Sequence, residues 1–313
     1  MRSDQYLMKT VGRFRVRIWP GYEDSELEAL MLLDEAGLRA LPNVRIVHEG
    51  RQAVVMRVER GGGRPVLYWK EFRARHWCDP LKDRVRGSKA ARAWDGALKL
   101  QRVGILTAPQ VAYGEEPPHG ILKPSRSFII TKEIEGAQRV SDYLASFPAH
   151  PTRAELAQKR LLMRELGHTV GRMHQAELHH AGMRLSNILW RPGVSGRPRL
   201  YFLDTDRVER GSPLSEQEIA RNLVQLNFFF LPGMSVSDRA RMLTAYAAER
   251  LLDRRTGRRL AHRTFARLRR RLEARLRSAK EDQAPEAVVR GMTAFLKLLT
   301  PPSQAVSDGR RPA

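Results

Sequence analysis

Two oxygen-bearing side chains bracket a short hairpin in the second half of the chain. Asn187 precedes an apolar pair, Ile188 and Leu189, and Asp204 ends an apolar strand that runs through Tyr201, Phe202 and Leu203. An amide oxygen and a carboxylate at the two ends of a hairpin can hold one Mg²⁺ between them. The cation prefers hard oxygen ligands and usually shares them with a phosphate. Asp206 is placed to bind a second metal, to pair with Arg207, or to hold the loop. His179 and His180 lie close enough to be weighed as proton acceptors, although loop histidines more often pack and hydrogen-bond.

Three other stretches carry residue types that suit a nucleotide. Lys70 is the one cation in the strand Leu67–Phe72, from which an ammonium can reach the α- and β-phosphates of ATP. The plainer reading is an exposed strand lysine, since Glu71 is its neighbour. The turn Val47–Gln52 holds a single glycine, Gly50, followed by Arg51. A tight turn offers backbone N–H groups to phosphates and Arg51 adds charge, but an ordinary hairpin fits equally well. The strand from Phe128 runs into a polar link containing Glu133 and Glu135, whose backbone groups would pair with an adenine edge.

Positioning these residues needs strands early and helices late. Residues 13–19 alternate basic and apolar, as a half-exposed strand does. Asp24 and Ser25 can cap a helix through about Ala40. Strands are expected at Val44–His48, Ala53–Glu59 and Pro65–Phe72, with Gly61–Gly63 as a hairpin turn. A basic loop covers 73–87. Ser88 can cap a helix that Gly104 stops, and strands follow near Gln110–Tyr113 and Ser127–Lys132. Beyond Gly136 the pattern is helical at Val140–Phe147, at Thr152–His174, and from Ser215 onward, apart from the Asn187/Asp204 hairpin. The expectation is an α+β fold: an N-terminal extension over 1–41, a β-rich lobe over 42–135, a helical lobe over 136–300 and a disordered polar tail over 301–313. The joint falls near Glu133–Gly136.

Composition narrows the partners. Fifty-six Lys and Arg stand against 34 Asp and Glu, a net charge of +22, which favours a polyanionic partner. No recognisable DNA- or RNA-binding motif accompanies the charge, so nucleic acid has charge alone in its favour. The single cysteine, Cys78, excludes an internal disulfide and a cysteine-based zinc site. No apolar run reaches the ~18 residues of a membrane span, and the first residues lack a signal-peptide pattern, so cytoplasm is the default.

The run Tyr68-Trp69-Lys70-Glu71-Phe72, the segment GILTAPQVAYGE, FIITKEIEG, the thirteen-residue interval from His174 to Asn187, YFLDTDR and EIARNLVQLNFFF together resemble the bacterial lipopolysaccharide-core kinases. These are the Kdo and heptose kinases and their InaA-like relatives. The resemblance implies a protein-kinase-like two-lobed fold and ATP/Mg²⁺-dependent phosphorylation of a sugar hydroxyl on an anionic glycolipid or phosphorylated sugar acceptor. It places that activity at the cytoplasmic face of the inner membrane, with peripheral contact to anionic lipid through the basic helix around His262–Lys280. Lys70 would bind ATP phosphates, and Asn187 and Asp204 the metal. His180 takes the structural-histidine position, and Arg184 lies where a phosphate-contacting lysine often stands. Two positions depart from the pattern. Gly182 occupies the place of the catalytic Asp and Ala93 that of the helix Glu which holds the lysine. Asp95, two positions further, is about 200° round the helix. A nucleotide-binding or scaffold module without phosphotransfer, a pseudokinase, is therefore the alternative.

Overall fold

Phe14, Val16 and Ile18 turn inward while Arg15 stays exposed, so the alternation seen in the sequence is a strand with one apolar face. The computed structural model describes residues 6–73, 86–117, 126–194, 196–211, 213–228, 231 and 233–299. It places this strand in a seven-stranded antiparallel sheet. The strands are β1 (Leu7–Val11), β2 (Phe14–Ile18), β3 (Val44–Glu49), β4 (Ala53–Val58), β5 (Leu67–Phe72), β7 (Gln110–Glu115) and β8 (Ser127–Lys132), in the order β1-β2-β7-β8-β5-β4-β3. The short β6 (Leu106–Thr107) precedes β7.

Each sheet face has its own apolar cover. One face packs on Leu27, Leu30 and Met31 of α1 (Ser25–Leu32) and Leu38 of α2 (Glu35–Ala40). The other packs Phe72, Tyr113 and Ile129 against Ala90, Ala93 and Trp94 of α3 (Lys89–Arg102). The single helix expected through Ala40 is in fact two. Leu33 is extended, and the Asp34 carboxylate accepts the Gly37 N–H at 2.7 Å, which starts a new helix. Of the residues expected as an extension, β1 and β2 join the sheet through the β2–β7 pairing, and α1 and α2 pack on its face. Ser88 caps α3 as expected, and Gly104 follows its end with φ +74°. Most of the basic loop expected over 73–87, and the tail over 301–313, lie outside the described residues.

The chain divides into two compact units, Met1–Ala137 with Tyr201–Glu209, and Gln138–Leu200 with Arg210–Ala313. The boundary thus falls after Ala137, and a short later segment returns to the first unit. Its tie is the end of β12 (Pro198–Phe202), where Tyr201 and Phe202 run parallel to Leu106 and Thr107.

The second unit is mainly helical. It holds α4 (Val140–Ala145), α5 (Arg153–Gln175), α6 (Glu216–Asn227), α7 (Val236–Glu249), α8 (Arg254–Glu281) and α9 (Glu286–Leu299). Reciprocal capping boxes start α5 (Thr152/Glu155), α6 (Ser215/Glu218) and α7 (Ser235/Asp238). Val224, Leu268, Leu272 and Phe295 form a core joining α6, α8 and α9. The short strands are β9 (Gln138–Arg139), β10 (Leu178–His180) and β11 (Ile188–Pro192), with β13 (Val208–Arg210) straddling the unit boundary. β9 pairs with β11.

Candidate active site

In the first unit, Lys70 and Asp204 form an ion pair and hydrogen bond. β5 places Lys70 between Tyr68 and Phe72 in the strand alternation, and its ammonium lies 5.0 Å from the Phe72 ring centroid. Glu71 belongs to the opposite face, where it is buried and receives Arg126 at 2.7 and 3.0 Å. Lys70 therefore does not share its surroundings with the neighbouring acid.

Asp204 has φ +54° and ψ +44°, a left-handed conformation that costs a non-glycine residue about 1 kcal/mol or more. The residues after it explain how that backbone is held. Thr205 Oγ1 donates to the Ala93 carbonyl at 2.6 Å, and a 3₁₀ turn follows over Thr205–Arg207. Gly96 lets α3 sit directly on this turn, because a Cβ there would overlap the Thr205 carbonyl oxygen. Ala93, the position where the helix Glu was sought, is buried and contributes its carbonyl instead of a carboxylate. Asp95 is exposed on the other side of the helix. Asp206 is half-buried within the 3₁₀ turn.

Gly50 stands in a tight turn whose N–H donates to the Ala53 carbonyl at 3.0 Å, while Arg51 is exposed. Arg73 and Arg39 both reach Glu49 beside the turn, at 3.0 and 2.7 Å, and these hydrogen bonds hold the Glu49 carboxyl below the usual range. Glu133 is engaged twice over. Its N–H donates to the Val66 carbonyl at 2.9 Å, and its carboxylate receives Arg57 at 2.9 Å and the Tyr68 hydroxyl at 3.3 Å. An adenine edge there must be met by groups other than the Glu133 N–H. Glu135 lies in the turn just beyond.

The second unit holds the loop His180–Asn187. Asn222 of α6 is its anchor. The Asn222 amide nitrogen donates to the His180 carbonyl at 2.9 Å, and its oxygen accepts the His180 N–H at 3.1 Å. The same oxygen meets His174 Nε2 at 3.0 Å, which makes Nε2 the proton-bearing nitrogen and leaves Nδ1 to accept the Tyr246 hydroxyl at 2.9 Å. Burial pushes the His174 imidazole down to about 4, so it is neutral here. Gln225, one turn beyond Asn222, donates to the Ala181 carbonyl at 2.9 Å.

Within the loop the Gly182 N–H donates to His180 Nδ1 at 3.0 Å, and Asn187 donates its amide to the Gly182 carbonyl at 2.9 Å. His180 Nδ1 thus spends its lone pair on the backbone, which weighs against proton abstraction through that atom. The Asn187 nitrogen is the end turned to the backbone, so its oxygen is the end suited to a cation. A Cβ at Gly182 would lie 3.3 Å from His180 Cε1 and 3.7 Å from the Asn187 amide nitrogen, a tight but not forbidden fit. Position 182 therefore does not require a backbone that only glycine can adopt. Arg184 is exposed at the start of the 3₁₀ turn Leu185–Asn187.

A family model for the lipopolysaccharide kinase (Kdo/WaaP) family matches residues 43–246. The chain belongs to that family. Relatives from two organisms are similar. Lipopolysaccharide core heptose(I) kinase WaaP of Pseudomonas aeruginosa is 26% identical over 237 residues, which covers 74% of this chain and 82% of the relative. The enzyme of the same name from Escherichia coli is 26% identical over 168 residues, 52% of this chain and 62% of the relative. A solved structure of WaaP in complex with acyl carrier protein superimposes with a TM-score of 0.56 at 22% identity, covering 76% of this chain and 91% of that one. The expected kinase-like fold, with an antiparallel-sheet lobe and a helical lobe, agrees with this likeness. The family implies ATP and a divalent metal.

Asn222, Gln225, Gly96 and Thr205 escaped the functional reading of the sequence. For the first two a signal exists. The Ser215/Glu218 capping box fixes where α6 starts and so sets Asn222 and Gln225 three residues apart on one face. Gly96 and Thr205 meet only through tertiary packing. Among the described residues no cluster of three or more His, Cys, Asp or Glu is able to hold a metal.

Proposed function

We propose that the chain binds Mg·ATP and transfers the γ-phosphoryl group to a sugar hydroxyl of an anionic glycolipid. The carrying observation is the Lys70–Asp204 pair, with Asp204 held in a left-handed backbone by α3. A phosphate-binding cation and a metal-binding carboxylate that satisfy each other provide for both charges of a Mg·nucleotide. Asp204 would hold the metal, with Asp206 as a further oxygen ligand. When bound, Mg²⁺ neutralises phosphate charge. Lys70 orients the phosphates, and the Gly50 turn with Arg51 covers them.

In the transfer, the acceptor oxygen forms a bond to phosphorus and the bond to the ADP oxygen breaks. With glycine at position 182 no carboxylate collects the hydroxyl proton, which passes to solvent or to a phosphoryl oxygen. Positioning and charge neutralisation supply most of the catalysis of phosphoryl transfer, whereas a placed base adds ~10²–10⁴ in rate. Gly182 is also what supports the second reading, a nucleotide-binding module without transfer. Among the described residues no helix is long and apolar enough to cross a membrane. Contact with an anionic lipid surface would fall to α8, whose sequence carries twelve Arg and Lys against two Glu.

The test is the melting temperature with and without Mg·ATP. A ligand at 100 times its Kd stabilises by about 2.7 kcal/mol, a shift of several degrees for a protein of this size. Asp204→Asn keeps a residue that tolerates the left-handed backbone and should abolish the shift. An equal shift in that variant would overturn the assignment. Turnover of ATP with a glycolipid acceptor then separates the kinase from the module.

A further inference from the structure

Four charged side chains of the first unit close a ring beside the Gly50 turn. Asp34 caps α2, which puts Glu35 in the first turn and Arg39 one turn later on the same side. Glu49 ends β3, and Arg73 follows the last residue of β5. Arg39 donates to Glu35 at 2.6 Å and to Glu49 at 2.7 Å. Arg73 donates to the same two carboxylates, to Glu49 at 3.0 Å and to Glu35. Each carboxylate thus takes two guanidinium groups, and each guanidinium group takes two carboxylates. Burial alone would raise the Glu35 carboxyl, but the hydrogen bonds from Arg73 and Arg39 outweigh it and hold the group below the usual range.

The two sides of the ring are anchored unequally. α2 is fixed to the sheet by Leu38, which is fully buried in the core. The other side belongs to the turn itself. Glu49 opens the turn, and Arg73 lies beside its close, where the Arg73 N–H donates to the Gln52 carbonyl at 2.8 Å. The Arg73 guanidinium also reaches the Gly50 carbonyl at 3.4 Å. Gly50 therefore has its N–H on Ala53 and its carbonyl on Arg73, while Arg51 stays exposed next to it. Turns between strands are ordinarily among the more mobile parts of a fold, and an isolated exposed ion pair would do little to hold one. In a closed ring each side chain is already ordered by its other partner, so each contact costs less freedom.

We propose that Glu35 is a positioning residue for the nucleotide, tying the Gly50 turn to α2 through Arg39 and Arg73 so that Arg51 meets the phosphates already in place. This gives the helix pair ahead of β3 a part in phosphate binding. The inference rests on the reading in which that turn covers the phosphates.

The experiment measures the dissociation constants of Mg·ATP and of adenosine on the full chain, and hydrogen exchange of the Gly50 amide without nucleotide. Glu35→Gln should weaken Mg·ATP about five-fold, the scale of a surface ion-pair network, and leave adenosine, which has no phosphate, unchanged. At about 1 M salt, where charges are screened beyond roughly 3 Å, the difference between wild type and variant should shrink. In the free protein the Gly50 amide should exchange about five-fold faster in the variant, because its hydrogen bond opens more often. Arg39→Gln, which leaves the first turn of α2 as it is, should reproduce these changes and carries the test if Glu35→Gln unfolds that helix. Glu28→Gln, which breaks the α1 pair with Lys9, should produce none of them. Equal losses for Mg·ATP and adenosine would mean a merely structural role and overturn the proposal. So would unchanged Gly50 exchange, or the same loss in Glu28→Gln. Mg·ATP binding that does not depend on Glu35 overturns this proposal alone, whereas a wild type that binds no Mg·ATP overturns the nucleotide reading with it.

Discussion

The Lys70–Asp204 region and the His180–Asn187 loop are held by different means. In the first, two charged side chains meet, and the turn after Asp204 is fixed to α3 through Thr205 and the Ala93 carbonyl. In the second, His174, Asn222, His180, Gly182 and Asn187 form a chain of hydrogen bonds between 2.9 and 3.1 Å, most of them to the backbone. The difference teaches that one region depends on a helix packed against a turn, and the other on a network anchored by a single buried amide, Asn222.

Three perturbations press on this contrast. The largest effect is expected from Gly96→Ala, which forces a methyl group into the Thr205 carbonyl and lifts α3 from the turn that fixes Asp204. Backbone overlap of this kind costs about 3 kcal/mol, so chemical denaturation should show that loss together with a weakened Mg·ATP shift. Retained stability and shift would mean α3 does not set Asp204.

Acid should act on the other region. His174 titrates near 4 in the fold, against 6.5 for the ordinary side chain, so the unfolded chain binds its proton first as pH falls. The stabilisation from neutral His174 is complete above pH 6.5 and is lost as pH drops toward 4, by roughly 3 kcal/mol in total. His174→Gln should flatten that acid limb in denaturation midpoints. An unchanged limb would place the acid sensitivity elsewhere.

The smallest structural effect belongs to Gly182→Asp. The site accepts a Cβ with a shift of a few tenths of an ångström, so stability should change by less than about 1 kcal/mol. Turnover should rise by roughly 10² if the absent base is the deficit. No rise, with stability intact, would locate the deficit in the acceptor or in the placement of α3.

Much of this was legible in the chain because its signals are local. Ser88 and Gly104 bound α3, the Asn187/Asp204 hairpin appears where apolar runs and turn residues place it, and Lys70 stands on its strand. What escaped depends on contacts distant in sequence. The break at Leu33–Asp34 looks like continuous helix until the Asp34 carboxylate turns to Gly37. Strand β1 has one buried residue, Val11, and so little apolar alternation to read. The Arg57–Glu133 pair, which occupies part of the link proposed for adenine, joins residues 76 apart. The Gly96–Thr205 contact spans more than a hundred.

The return of Tyr201–Glu209 to the first unit has a consequence for the order of assembly. A ribosome that has made residues 1–137 has made all seven strands of the sheet and α3, but not the strand end beside Leu106 or the turn beneath Gly96. Lys70 waits for Asp204 until about seventy further residues have been added. The first unit is thus first in sequence but not first to be finished. Its completion is a long-range closure of the kind that slows folding, and a fragment ending at the first boundary is expected to expose that face of α3.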